Sequence, residues 1–148
     1  MIYENSKKEF THLKVHTQYS ICEGALKTAD LAKYCKTNHI KAIGLCDSQN
    51  LCGALEFSEF IAKSKTQPII GTQINIKHKN YDGKIAIFAK NLEGYKNLIK
   101  LSSKSFMGIN ENEDPHCKIE DLELNNSGLI VLSGTFDGFF GKLFFKNL

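Results

Sequence analysis

No apolar run in this chain of 148 residues approaches the roughly 20 residues that a membrane-spanning helix needs, so no membrane partner is expected. The opening residues, MIYENSKKEF, place no apolar core behind their charges, so no secretory signal is expected. No CxxC pair occurs among the five cysteines, at positions 22, 35, 46, 52 and 117. With that odd count, free thiols in a reducing, cytoplasmic setting are the expectation. Strong charge of one sign is missing too: 19 Lys+Arg against 16 Asp+Glu leave a net charge of +3. No basic run exceeds Lys7-Lys8, so the chain lacks the phosphate-tracking stripe of a nucleic-acid binder. Tryptophan is absent and proline occurs twice, and neither scarcity excludes a class. What is present is ordinary for a globular domain: 42% hydrophobic and 24% charged residues, in a length that suits one domain with a moderate core.

Short apolar segments alternate with amphipathic ones. Phe10 to Val15 reads as a first strand, followed by a loop through Ser20 to Gly24. Thr28 is placed to cap a helix whose apolar face is Leu31, Ala32 and Cys35. Ile40 to Leu45 is a short run of strand formers suited to burial on both faces. Asn50 precedes a helical stretch with Leu51, Ala54, Leu55, Phe57 and Ile61 on one side. Pro68 to Ile76 makes a third strand, Asp82-Gly83 a turn, and Lys84 to Ala89 a fourth strand hairpinned to the third. Asn91 caps a helix carrying Tyr95, Leu98, Ile99 and Leu101; Leu129 to Ser133 is a fifth strand and Phe139 to Phe145 a closing helix. This alternation predicts an α/β fold with mainly parallel strands and outer helices. The chain is short for a complete eight-unit barrel, which takes about 250 residues. It stops just after an apolar helix without a polar tail, so an incomplete barrel, truncated at its C-terminus, is the expectation for residues 1–148, with no linker and no second domain.

In parallel sheets, chemistry collects where strands end and loops begin. Three such places are polar here: His12-Leu-Lys14-Val-His16 with Glu23-Gly24 downstream, Cys46-Asp47-Ser48-Gln-Asn50, and Gly71-Thr-Gln73. Five segments then stand in order: His12 to Ser20, Asp47 to Phe57, Pro68 to Gly71, Ala89 to Leu98 and Gly128 to Gly134. Together they resemble the polymerase-and-histidinol-phosphatase (PHP) domain, in the version at the front of the bacterial DNA polymerase III alpha subunits.

That resemblance implies a site where imidazoles and carboxylates hold two or three divalent ions, which activate a water and clamp a phosphoryl oxygen. Mapped position by position, the ligand set is broken. The first His of the family's H-x-H falls on Lys14, and the second is kept as His16. The acid before the glycine is kept as Glu23. In the T-D-H motif Asp47 remains but the His falls on Ser48. The acid after the third strand falls on Gln73, the next His on Lys84, and a Cys or His on Thr135. His12 lies nearby. These nine positions are read as a vestigial metal site, with no metal and no catalytic residue expected. Lys14 or Lys84 is expected to replace the metal charge by a salt bridge to the retained acids. His16 reads as a hydrogen-bonded structural histidine, and Asp47 as a residue that orders its loop or caps the helix near Asn50. Cys46 reads as core. His78, His116 and Cys117 read as exposed loop residues, and Gly134, Gly138 and Gly141 as turn and packing residues.

By the same resemblance the segment is a non-catalytic scaffold and a docking surface for the separate proofreading exonuclease subunit, alongside the rest of the polymerase III core. DNA synthesis, DNA contact and magnesium belong to later domains of such a parent. Two alternatives stand beside this reading: a residual metal-dependent phosphoesterase or 3′→5′ exonuclease, and a natural fragment of a split or decayed gene.

Overall fold

The computed structural model describes residues 10–110, 112–136 and 138–145. Its elements are α1 (Thr28–Thr37), β1 (Ala42–Ser48), α2 (Ala54–Lys63), β2 (Gln67–His78), β3 (Tyr81–Ala89), α3 (Leu92–Lys104), β4 (Cys117–Lys118), α4 (Ile119–Leu124), β5 (Leu129–Leu132) and α5 (Phe139–Phe145). The sheet runs β1-β2-β3-β5, with β4 alongside the far end of β2. β1 and β4 pair parallel with β2, whereas the β2–β3 hairpin and the β3–β5 pair are antiparallel. The α/β class holds, in a mixed sheet.

Strand alternation sends Ile43 and Leu45 of β1, Ile74 and Ile76 of β2, and Ile85 and Ile87 of β3 towards the helices. There they form two clusters: one with Leu31, Cys35, Phe57 and Ile61 of α1 and α2, the other with Leu98, Leu101, Cys117, Leu122 and Phe139. The opposite face carries a small cluster of Cys46, Ala86 and Phe88 with Leu13, Ile69 and Leu132. Polar residues of that second face become available to a site.

Several local expectations change. Phe10 to Val15 is not a ladder strand. It lies along the outer side of β1, joined by Gly44 N–H to His12 O at 2.7 Å and Cys46 N–H to Val15 O at 2.8 Å. The β2–β3 turn falls at Lys79-Asn80, with Lys79 at φ +52°, and not at Asp82-Gly83. Gly83 instead admits the start of α5, because a Cβ there would stand 2.5 Å from the backbone N of Phe139. Thr28 does not cap α1; the cap position is Lys27, and the buried Thr28 hydroxyl donates to Glu56 of α2 at 2.7 Å. Asn91 does cap α3, accepting from Gly94 N–H at 2.9 Å. Cys117 is buried, not exposed, because it is the first residue of β4, pairs with Ile76 of β2 and packs into the core with Leu98, Leu101 and Leu122. His78 is only partly exposed, with Nδ1 3.6 Å from Glu120.

Candidate functional site

Asp47, the last residue but one of β1, is completely buried. A buried carboxylate must be met by donors, and three are in place. Thr17 N–H donates to Oδ1 at 2.6 Å, the Thr17 hydroxyl to Oδ2 at 2.7 Å, and the Ser20 hydroxyl to Oδ1 at 2.7 Å. Ser20 Oγ also accepts from Ser48 N–H at 3.1 Å and lies 3.3 Å from His16 Nδ1. The loop from His16 to Gly24 is thus pinned to the end of β1. The Thr72 hydroxyl of β2 closes the same corner, donating to Asp47 O at 2.7 Å. Asp47 orders its loop and does not cap α2. Asn50 helps, donating to Tyr19 O and to Ser48 O.

One cross-strand row crosses the helix-free face: Ser48 pairs with Gln73, Gln73 with Ala86, and Ala86 with Leu132. Lys84 lies two residues from Ala86 on the same face. Its Nζ stands 3.1 Å from Glu23 Oε1. The Ser48 hydroxyl donates to the other oxygen of Glu23, and His16 Nδ1 lies 3.9 Å from that oxygen. Gln73 Nε2 reaches Ser48 Oγ only at 3.5 Å. The Ser48 hydrogen bond and then Lys84 hold the Glu23 carboxyl below its usual range. Burial lowers the His16 pKa, as do Lys14 and Lys84, against the opposing pull of Glu23 and Asp47.

Of the nine positions predicted, eight meet around this face. Lys14, Gln73, Lys84 and Thr135 line one cavity of about 240 Å³. His16, Glu23, Asp47 and Ser48 form the hydrogen-bonded group beside it. His12 is apart, exposed and edge-on to Phe10 at 4.7 Å between ring centroids. The Lys84–Glu23 salt bridge is present, while Lys14 makes no hydrogen bond or ion pair with any described residue. Cys46 is core, its thiol pushed up to about 12 by burial.

A divalent ion does not fit this donor set. The oxygens of Glu23 already face an ammonium and a hydroxyl proton, those of Asp47 face three donors, and lysines stand where electron-pair donors are needed. Among the described residues no three His, Cys, Asp or Glu side chains come together in reach of one ion.

The family model for the PHP domain matches residues 12–148. The chain belongs to the PHP-domain family. Its PHP sequence is 39% identical over 137 residues to a DNA polymerase III subunit alpha of Rickettsia felis, covering 92% of this chain and 11% of that protein. The Haemophilus influenzae protein of the same name is 33% identical over 148 residues, covering 97% and 12%. The Borreliella burgdorferi one is 35% identical over 153 residues, covering 95% and 13%. The chain therefore spans about an eighth of the length of the curated relatives it matches. A crystal structure of a candidate metal-dependent phosphoesterase from Bifidobacterium adolescentis overlays with a TM-score of 0.49 at 15% identity, over 64% of this chain and 32% of that one. No helix among the described residues is long and apolar enough to cross a membrane.

Two residues of this PHP site were missed in the sequence. Thr17 and Ser20 are the donors that satisfy Asp47, and both are fully buried. The sequence shows two small hydroxyl residues three apart in a loop just ahead of Gly24, but nothing local says which group they hold.

Proposed function

We propose that this chain is the PHP segment of a bacterial DNA polymerase III alpha subunit, acting in chromosomal replication as a non-catalytic scaffold. The observation that carries the reading is the Lys84 ammonium 3.1 Å from Glu23. A fixed positive charge there takes up the electrostatic role of a metal without Lewis acidity and without an activated water. The site then holds its loop on the sheet and performs no hydrolysis. Polymerisation belongs to other parts of the longer parent, and the proofreading exonuclease subunit is the partner that a PHP domain without metal chemistry would seat.

Manganese titration of the purified chain tests the first half. The expected result is no stoichiometric binding and no release of phosphate from phosphomonoesters or nucleotides from DNA ends. Manganese-dependent hydrolysis that disappears in His16→Ala would overturn the scaffold reading. For the partner, the full-length parent is expected to co-elute with the exonuclease subunit, and separate elution of the two intact proteins would remove that assignment.

A further inference from the structure

α3 buries one face and leaves the opposite one open. Leu98 and Leu101 sit in the core with Ile85 and Ile87 of β3. Leu92, Ile99 and Phe106 recur at seven-residue intervals, which drift by only about 20° per step around an α-helix. Phe106 lies just past the C-cap Ser105, but its N–H still bonds to Ser103 O at 3.2 Å, so the helical path reaches it. These side chains therefore share one outward stripe, 69%, 43% and 53% exposed, with Tyr95 and Ser102 at the positions between them. This is the spacing of a helix that packs against a second helix, and here it is bare. At the start of the stripe, Leu92 and Tyr95 also wall a groove of about 400 Å³ with Pro68, Ile70 and Ala89.

The second observation is the charge around this stripe. Lys90, Lys96, Lys100 and Lys104 surround it, against Glu93 as the single acid of α3. Lys104 reaches Asp121 at 3.8 Å. Lys90, Lys96 and Lys100 have no carboxylate within ion-pair distance among the described residues, and Lys100 donates only to the neutral Asn97 amide oxygen, at 3.2 Å. A second copy of α3 laid on the first would bring together two stripes of the same positive sign, which opposes pairing. A partner with acidic flanks gains from the same lysines.

We propose that the outer face of α3 is a docking site for an acidic amphipathic helix of another polypeptide. The apolar side chains of that helix seat on Leu92, Ile99 and Phe106, and its carboxylates pair with Lys96 and Lys100. Helical recognition of this kind is read by anchors one and two turns apart, which is how the stripe is spaced. α3 packs on the helix-covered side of the sheet, away from the polar row of Ser48, Gln73 and Lys84, so the docking face works whether or not that row is free of metal.

The test is fluorescence anisotropy of a labelled synthetic peptide of three heptads, with leucine at a and d and glutamate at e and g, titrated with the purified chain. Glutamates at e and g keep the peptide from pairing with itself. The control is the same peptide with lysine at e and g. Saturable binding of the acidic peptide is expected, about tenfold weaker in Ile99→Gln and again in Lys96→Glu, and weakening as sodium chloride is raised. Both positions are exposed, so both variants should keep the wild-type circular dichroism and melting temperature. No saturable binding, equal affinity for the lysine-flanked peptide, or undiminished affinity in either variant would overturn the proposal. Self-association of the chain that Ile99→Gln abolishes would assign the face to a second copy and overturn it too. Neither variant touches the Glu23–Lys84 site, so a failure here leaves the manganese titration unchanged, and manganese binding leaves this docking face unchanged.

Discussion

At the scale of single residues, Asp47 carries the most energy in the site. Removing its carboxyl leaves the Thr17 N–H and two hydroxyls buried without an acceptor. Each such loss costs about 1–3 kcal/mol, so Asp47→Ala should lower unfolding stability by about 3–5 kcal/mol. Asp47→Asn keeps one acceptor oxygen and should cost less. Denaturant melts of the two variants decide this, and equal midpoints for wild type and Asp47→Ala would refute the pinning role. His16 adds a pH dependence. Its folded pKa lies below the ordinary 6.5, so the unfolded chain takes up the proton more readily. His16 therefore contributes stability that is complete above pH 6.5 and is lost as pH falls through its lower folded pKa. Glu23, depressed from 4.5, acts in the same direction but further into acid. Melting temperature should thus fall on acidification from pH 7, and the upper part of that fall should flatten in His16→Gln. An unchanged slope in that variant would mean that other groups set the profile.

At the scale of elements, α3 offers a prediction whose sign opposes ordinary helix propensity. Alanine in place of a mid-helix glycine usually stabilises by about 1 kcal/mol. Gly94 lies in the first turn of α3, and a Cβ there would stand 1.8 Å from Gly128 O, in the segment that leads into β5. Gly94→Ala should therefore destabilise, by about 1–3 kcal/mol. Asn91→Ala, which removes only the cap, should cost about 1 kcal/mol. Thermal melts that rank Gly94→Ala above wild type would show that α3 is free to move off β5. These same elements show how far the sequence could be read. α3, its Asn91 cap, the β2–β3 hairpin and the buried run of β1 were legible because apolar periodicity and cap chemistry are local signals. The Asp82-Gly83 turn was misread because a glycine announces a turn and a close approach in the same way, and only the position of α5 decides between them. Thr28 was misread because a hydroxyl at a helix start serves either its own backbone or a neighbouring helix. β4 and α4 went unread because two strand residues and six helical ones carry too little periodicity. In the site, the resemblance to the family's motifs located the positions, and charge predicted a lysine salt bridge from Lys14 or Lys84, of which the Lys84 one is present. The Thr17 and Ser20 pair was not legible, because its role depends on the burial of Asp47, which no local pattern encodes.

At the scale of the whole molecule, the two ends of the sheet are treated differently. β1 is flanked by the Phe10 to Val15 segment, whereas β5 has a partner only on its β3 side among the described residues. Ile130 and Val131 of β5 are partly open to solvent, and Phe136, Phe140, Phe144 and Phe145 stand exposed next to it around a shallow apolar groove. An unpaired strand edge beside an apolar patch is a template for association, and natural domains normally cover or charge such edges. No acidic side chain stands among the described residues from Leu129 to Phe145, and Lys142 is already engaged with Asp82 at 3.6 Å. The isolated chain should therefore associate reversibly as its concentration rises, with an average mass in sedimentation velocity above the 16.6 kDa of one copy. Phe144→Glu puts a charge on the patch at a 64% exposed position, so it should restore the monomer while changing stability by no more than about 0.5 kcal/mol. If wild type stays monomeric throughout, or if Phe144→Glu associates as strongly as wild type, the β5 edge and its phenylalanines are not adhesive in water.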